Sequence, residues 1–287
     1  RNLKAAYLGL EKAMDENYYV PLMLSFTIES TGTTLAGQTA DAFYYAVHHM
    51  NPLSVGLNCA TGPEFMTQFL KKLNEVSNTY ISVYPNAGLP NEEGQYEETP
   101  STLAAKIEPF FQNKFLNIVG GCCGTTPAFI KAIKDKSIGY DPRVIDENKN
   151  ENAVTGLITL EVPKDRPIYV GERTNVIGSR IFKNLIANEK FDEATEVARL
   201  QIKGDADVID VCLANPDRDE ISDMKNFLEK VSKFAKVPIM LDSTDINVIR
   251  EGLTYLQGKG IINSINLEDG EKKFEKMAKL IKDFGAA

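Results

Sequence analysis

The 287-residue chain has no tryptophan, only two histidines and only four cysteines. The histidines, His48 and His49, are neighbours on a helix-like stretch and read as surface or helix-packing residues. Four cysteines in a chain of this size do not make a disulfide scaffold. Three of them are suited to metal, which indicates a reducing compartment and a cytoplasmic location. Acidic residues outnumber basic ones, 40 to 32. A net charge of −8 and a pI near 5.0 argue against a nucleic-acid backbone as partner, though not against a small anionic ligand. No apolar run reaches the roughly 18 residues of a membrane helix, so no membrane partner is expected. There is no signal-peptide pattern, and the first residue is Arg1 rather than Met, so a native N-terminus is expected upstream. The remaining composition, 43% hydrophobic and 25% charged, is that of an ordinary globular protein.

Strand-like and helix-like stretches alternate along the chain, which means βαβ units and a parallel sheet. The first series reads as a helix over 2–17, a strand over 18–28 and a helix over 39–50. A strand over 53–59, a helix over 63–76 and a strand over 80–84 come next, then a helix over 100–114, a strand over 116–120 and a helix over 127–136. Residues 138–166 are polar and irregular and read as a linker, with a short apolar piece over 154–162. A second series follows, with strands over 168–170, 208–213, 239–241 and 261–265. Its helices are expected over 191–203, 221–234, 245–256 and 271–284.

The first series is organised around Gly120-Gly121-Cys122-Cys123-Gly124-Thr125-Thr126-Pro127, where a strand stops and a helix starts. Adjacent side chains on a strand point to opposite faces. Two neighbouring thiols therefore reach one point only if the backbone leaves strand geometry, which the flanking glycines permit. Two small buried hydrophobes would be the plainer reading of a Cys-Cys pair. A third cysteine, Cys59, ends another apolar strand just before Gly62-Pro63 and a helix, and it tips the balance towards metal. Catalytic zinc sites keep one of four positions open. Three thiolates leave such an ion with a formal charge near minus one, and a substrate thiol filling the gap is deprotonated yet stays electron-rich. That suits methyl transfer to sulfur better than activation of water.

The second series places a polar group at the carboxyl end of each strand: Asn175, Asp210, Asp242 and Asn263. In a barrel of parallel strands these ends converge on one mouth. A carboxylate accepts a pair of N–H donors from a flat heterocycle, and an asparagine donates and accepts at once. Together they suit the edge of a pterin or purine. Singly, a strand-end Asp is as well explained as a helix N-cap, and Asp245 is the better capping candidate.

Leu57-Asn58-Cys59 followed by Gly120-Gly121-Cys122-Cys123-Gly124-Thr125 resembles the zinc-binding signature of homocysteine S-methyltransferases. The stretch Val170-Gly171-Glu172-Arg173-Thr174-Asn175, with Val208-Ile209-Asp210, Leu241-Asp242-Ser243 and Ile262-Asn263-Ser264, is similar to the pterin-binding domain of the cobalamin-dependent methionine synthase family. The resemblance covers nearly the whole chain. It implies an α/β fold of two (β/α)8-type barrels, zinc held by Cys59, Cys122 and Cys123, homocysteine bound through that zinc, and 5-methyltetrahydrofolate as methyl donor. It also implies cobalamin, carried by a module outside this chain or by a separate corrinoid protein, since no Asp-x-His-x-x-Gly pattern is present.

One barrel takes about 250 residues, so the expected layout is two partial barrels. Residues 1–137 would be the C-terminal part of the homocysteine barrel and 167–287 the N-terminal part of the pterin barrel. A lone fragment of this kind is expected to be inactive. The resemblance departs at Cys212, where family members carry asparagine, and we read Cys212 as core packing. Two further readings stay open. One is a non-catalytic zinc- or pterin-binding fragment. The other is a corrinoid-independent thiol S-methyltransferase, which would have no use for a pterin site.

Overall fold

The computed structural model describes all residues except 15–17, 60–61, 95 and 147–151. Helix α1 spans Asn2–Ala13, and Met14 beyond it is extended; the rest of the helix expected to 17 falls outside the described residues. Next come β1 (Met23–Phe26), α2 (Ala40–Val47) with a 3-10 turn over His48–Met50, and β2 (Ser54–Asn58). They are followed by α3 (Pro63–Val76), β3 (Tyr80–Tyr84), α4 (Pro100–Gln112), β4 (Ile118–Val119) and α5 (Pro127–Ser137). The strands form a parallel sheet in the order β1-β2-β3-β4. β1 is much shorter than the expected 18–28. Pro21 has no N–H to give a ladder, and Tyr18, Tyr19 and Val20 are exposed. Val55, Leu57, Ile81 and Val83 are fully buried between this sheet and its helices. Each such side chain contributes about 1.5–3 kcal/mol by leaving water.

Two elements lie inside the expected linker: β5 (Ala153–Thr155) and β6 (Thr159–Glu161), an antiparallel hairpin. Thr155 N–H donates to Lys259 O at 2.9 Å, and Leu157 N–H to Lys236 O at 2.9 Å. The hairpin is thus tied by its backbone to the second series. Arg143, also in the expected linker, is buried and donates to Asn74 Oδ1 at 2.7 Å, Thr79 O at 2.8 Å and Ser77 O. It donates to carbonyls in the turn between α3 and β3 and so ties this stretch to that turn. Polar composition alone marks this stretch as a linker, and these bonds are why part of it is folded.

The second series comprises β7 (Val170–Gly171), α6 (Arg180–Ala187), α7 (Phe191–Lys203), β8 (Val208–Val211) and α8 (Glu220–Val231). After these come β9 (Ile239–Asp242), α9 (Ile246–Tyr255), β10 (Ile261–Asn263) and α10 (Glu271–Phe284). Its sheet is parallel, ordered β7-β8-β9-β10. Helix α6 is an addition to the elements expected from the sequence. Ser179 caps it by accepting from Phe182 N–H, and Phe182 and Ile186 enter the core. That core is built from Ile209 and Val211 of β8, Leu241 of β9, and Phe227 and Leu228 of α8. The fold is α/β with two parallel four-stranded sheets, in keeping with two partial (β/α)8 barrels.

Contacts divide the chain into two compact units. One holds Val20–Tyr44 and Asn51–Asn150, and the other Arg1–Tyr19, Tyr45–Met50 and Glu151–Ala287. In this division α1 goes with the second series. Lys4 on α1 is buried and donates to Gly258 O at 2.8 Å and Phe284 O at 2.9 Å. The second of these carbonyls ends α10, where a cation meets the negative end of the helix dipole.

Candidate metal centre and carboxylate pocket

Cys59 follows β2 directly, with φ at 56°. Its N–H still donates to Tyr84 O at 3.0 Å, so the strand ladder holds the backbone while the left-handed residue turns the sulfur aside. Beyond β4, Gly120 N–H donates to Val83 O and Cys122 N–H to Pro85 O. A tight turn follows, in which Cys122 O accepts from Thr125 N–H at 3.2 Å and from Thr125 Oγ1 at 2.6 Å. Gly124 makes the turn possible at φ 78°, and a Cβ there would lie 2.5 Å from the Tyr96 ring. Cys123 is pinned from both sides. Its N–H donates to the buried Asn86 Oδ1 at 3.2 Å, and its carbonyl accepts from Ala87 N–H at 2.9 Å.

This geometry brings the three sulfurs together within 4.8 Å. Cys123 Sγ lies 3.9 Å from both Cys59 Sγ and Cys122 Sγ. The latter two touch, with Cα atoms 5.8 Å apart. Sulfurs bound at 2.3 Å to a tetrahedral zinc stand about 3.8 Å apart, so Cys123 is already placed for such an ion. Cys59 and Cys122 are half-buried and Cys123 is exposed, which leaves a side open for a fourth donor. The donor set fits a zinc ion.

In the other unit the strands run in register. Asn263 pairs with Asp242, Val211 with Leu241, and Asn175 bridges Cys212. Continuing the β8–β9 register by one residue sets Cys212 beside Asp242. Asn175, Cys212, Asp242 and Asn263 therefore form one row across the carboxyl ends of the sheet. Asp210, two residues before Cys212, shares its face one layer deeper.

Three of the expected residues, Asp210, Asp242 and Asn263, lie on strands. Asn175 lies past the end of β7 and serves mainly to brace the site. Its Nδ2 donates to Asp210 Oδ2 at 3.0 Å, while its Oδ1 accepts from Ile177 and Gly178 N–H groups. Asp210 is 3% exposed, and its Oδ1 has no partner among the described residues. Burial pushes its carboxyl up to about 6, opposed by the Asn175 hydrogen bond and aided by the charges of Asp242 and Glu172. Burial also raises Asp242, against a hydrogen bond from Cys212, with Glu172 again raising. Asn263 is exposed.

Sequence reasoning does not single out Glu172; it assigns Cys212 to core packing, and the side chain is buried, at the level of the strand-end row. The i, i+2 spacing from Asp210 to Cys212 is the available signal for Cys212. Nothing in the sequence marks Glu172. Asp245 caps α9 as expected, accepting from Asn247 N–H at 2.7 Å.

Two known families match the chain. Residues 1–137 match the family Homocysteine S-methyltransferase, and residues 171–287 match the family Pterin binding enzyme. The three cysteines fall in the first match and the carboxylate row in the second. The chain thus carries a homocysteine S-methyltransferase domain followed by a pterin-binding domain, the architecture of methionine synthases.

Proposed function

We propose that the chain serves methionine-synthase-type methyl transfer, from 5-methyltetrahydrofolate by way of a corrinoid to homocysteine, giving methionine and tetrahydrofolate. The observation that carries this reading is the meeting of Cys59, Cys122 and Cys123 sulfurs in the stretch matched to homocysteine S-methyltransferases. Zinc held by these three would make the homocysteine thiol acidic enough to stand as a thiolate near neutral pH. The protein's own part is placement. The Cys122–Thr125 turn and the Asn86 bond fix two sulfurs, and the Cys59 backbone delivers the third.

In the pterin domain, Asp210 and Asp242 accept from the amino and ring N–H groups of the pterin edge, and Asn263 answers the remaining donor–acceptor pair. The corrinoid belongs to another module of a parent chain or to a separate protein. The expected boundaries, a cytoplasmic location and the partial-barrel layout belong to the same proposal. Among the described residues, no helix is long and apolar enough to cross a membrane.

The test is metal analysis of the purified chain with calorimetric titration of homocysteine. Zinc-loaded protein should bind homocysteine, whereas Cys123→Ala and chelated protein should not. A chain that purifies without zinc, takes none up and ignores homocysteine would overturn the reading.

A further inference from the structure

The row across the second sheet contains one member that the pterin reading leaves without a task. Cys212 is 2% exposed, yet it stands at the mouth between Asn175 and Asp242 rather than in the depth of the core. Its backbone is held on the β7 side, donating to Thr174 O at 3.2 Å and accepting from Val176 N–H at 3.0 Å. The strand register sets its side chain beside that of Asp242, on the same face of the sheet. We propose that Cys212 is a positioning residue of the pterin pocket: its S–H donates to the Asp242 carboxylate and turns that carboxylate towards the ligand edge. This rests on the pterin reading above.

Two independent features support it. The first is the unpaired Oδ1 of the buried Asp210, on the same face and one layer deeper. A buried carboxylate oxygen left without a donor calls for one from outside the chain, so a ligand with N–H groups belongs beside Cys212. The second is the state of the thiol. Burial pushes it up to about 11, and the facing carboxylates Asp242, Asp210 and Glu220 push the same way. Across the neutral range it is therefore a neutral donor, never a thiolate that would repel Asp242. Asp242 has two oxygens; with one steadied by the S–H, the other is presented to the pterin. Glu172, beyond β7, and Glu220, on α8, complete the charged surroundings.

The experiment titrates the Asp242 carboxyl by carbon-13 NMR in the intact chain and its Cys212→Ala and Cys212→Ser variants. Calorimetry with 5-methyltetrahydrofolate across pH follows. Losing one neutral hydrogen bond should weaken binding by roughly three- to tenfold in Cys212→Ala. The Asp242 midpoint should move to higher pH, and the affinity deficit should grow as pH falls. Cys212→Ser, which keeps a donor, should restore both. An Asp242 midpoint unmoved in Cys212→Ala, or a Ser variant that behaves like Ala, overturns the proposal. Failure of the pterin reading looks different: the unaltered chain then binds no methyltetrahydrofolate at any pH, and the proposed pocket role falls with it.

Discussion

Removing the Cys59 sulfur leaves Cys122 and Cys123 3.9 Å apart with no third donor from another strand. Cys59→Ala should therefore abolish zinc retention while leaving the fold intact, and metal content against circular dichroism checks both. At the other site Asp242 is the carboxylate paired in register with Asn263. Losing a charged hydrogen bond to a buried ligand costs roughly 1.5–3 kcal/mol, about 10- to 150-fold in affinity. Calorimetric titration of methyltetrahydrofolate into Asp242→Ala should show a loss in that range, and equal binding would remove Asp242 from the pocket. The candidate site residues are legible in the sequence because their types are restrictive: thiols beside glycines, carboxylates at strand ends. What is not legible is their second rank. Asn175 braces Asp210 instead of closing a strand, and Cys212 joins the row only once the register is known.

At the scale of elements, several helices and one strand are readable to their ends. Pro63–Val76, Tyr80–Tyr84, Phe191–Lys203 and Glu271–Phe284 have clear periodicity or clear terminal signals. Helix α6 does carry helix signals, a Ser179 cap and the buried Phe182 and Ile186 four residues apart, but they are confined to two turns inside a stretch that otherwise reads as loop. The β5–β6 hairpin escapes because its strands are three residues long and its stability comes from bonds to distant carbonyls. Gly258 faces Thr155 O so closely that an added Cβ would lie 2.0 Å from it. Gly258→Ala should accordingly loosen the hairpin, seen as faster amide exchange at Thr155 and Leu157, whereas Gly62→Ala, with nothing within 4 Å, should not. At α8, Asp219 accepts from Ile221 and Ser222 N–H groups. Its replacement by Ala should lower stability by about 1 kcal/mol in urea unfolding.

For the whole molecule, Asp210 links pH to both stability and ligand. Its folded value of about 6 lies above the ordinary 3.8, so between these values the folded state holds more proton than the unfolded one. Stability should therefore fall as pH rises from about 4 through about 6, and Asp210→Asn should flatten that slope in pH-dependent unfolding. Ligand binding should run the other way, tightening as pH rises through 6, because the ionised carboxylate keeps Oδ1 as an acceptor for a ligand N–H while Oδ2 holds the Asn175 amide. Limited proteolysis should cut beside the exposed Val144 before it cuts the hairpin.

Such a cut would not free the N-terminal piece. Helix α1 is held at Gly258 and Phe284 through Lys4, so the two fragments should travel together until denaturant is added. The same attachment sets an order in time. On the ribosome α1 is made 254 residues before the first of its anchoring carbonyls and 280 before the second. Through that interval the helix has no permanent seat, and a chaperone that shelters exposed amphipathic segments would find it there.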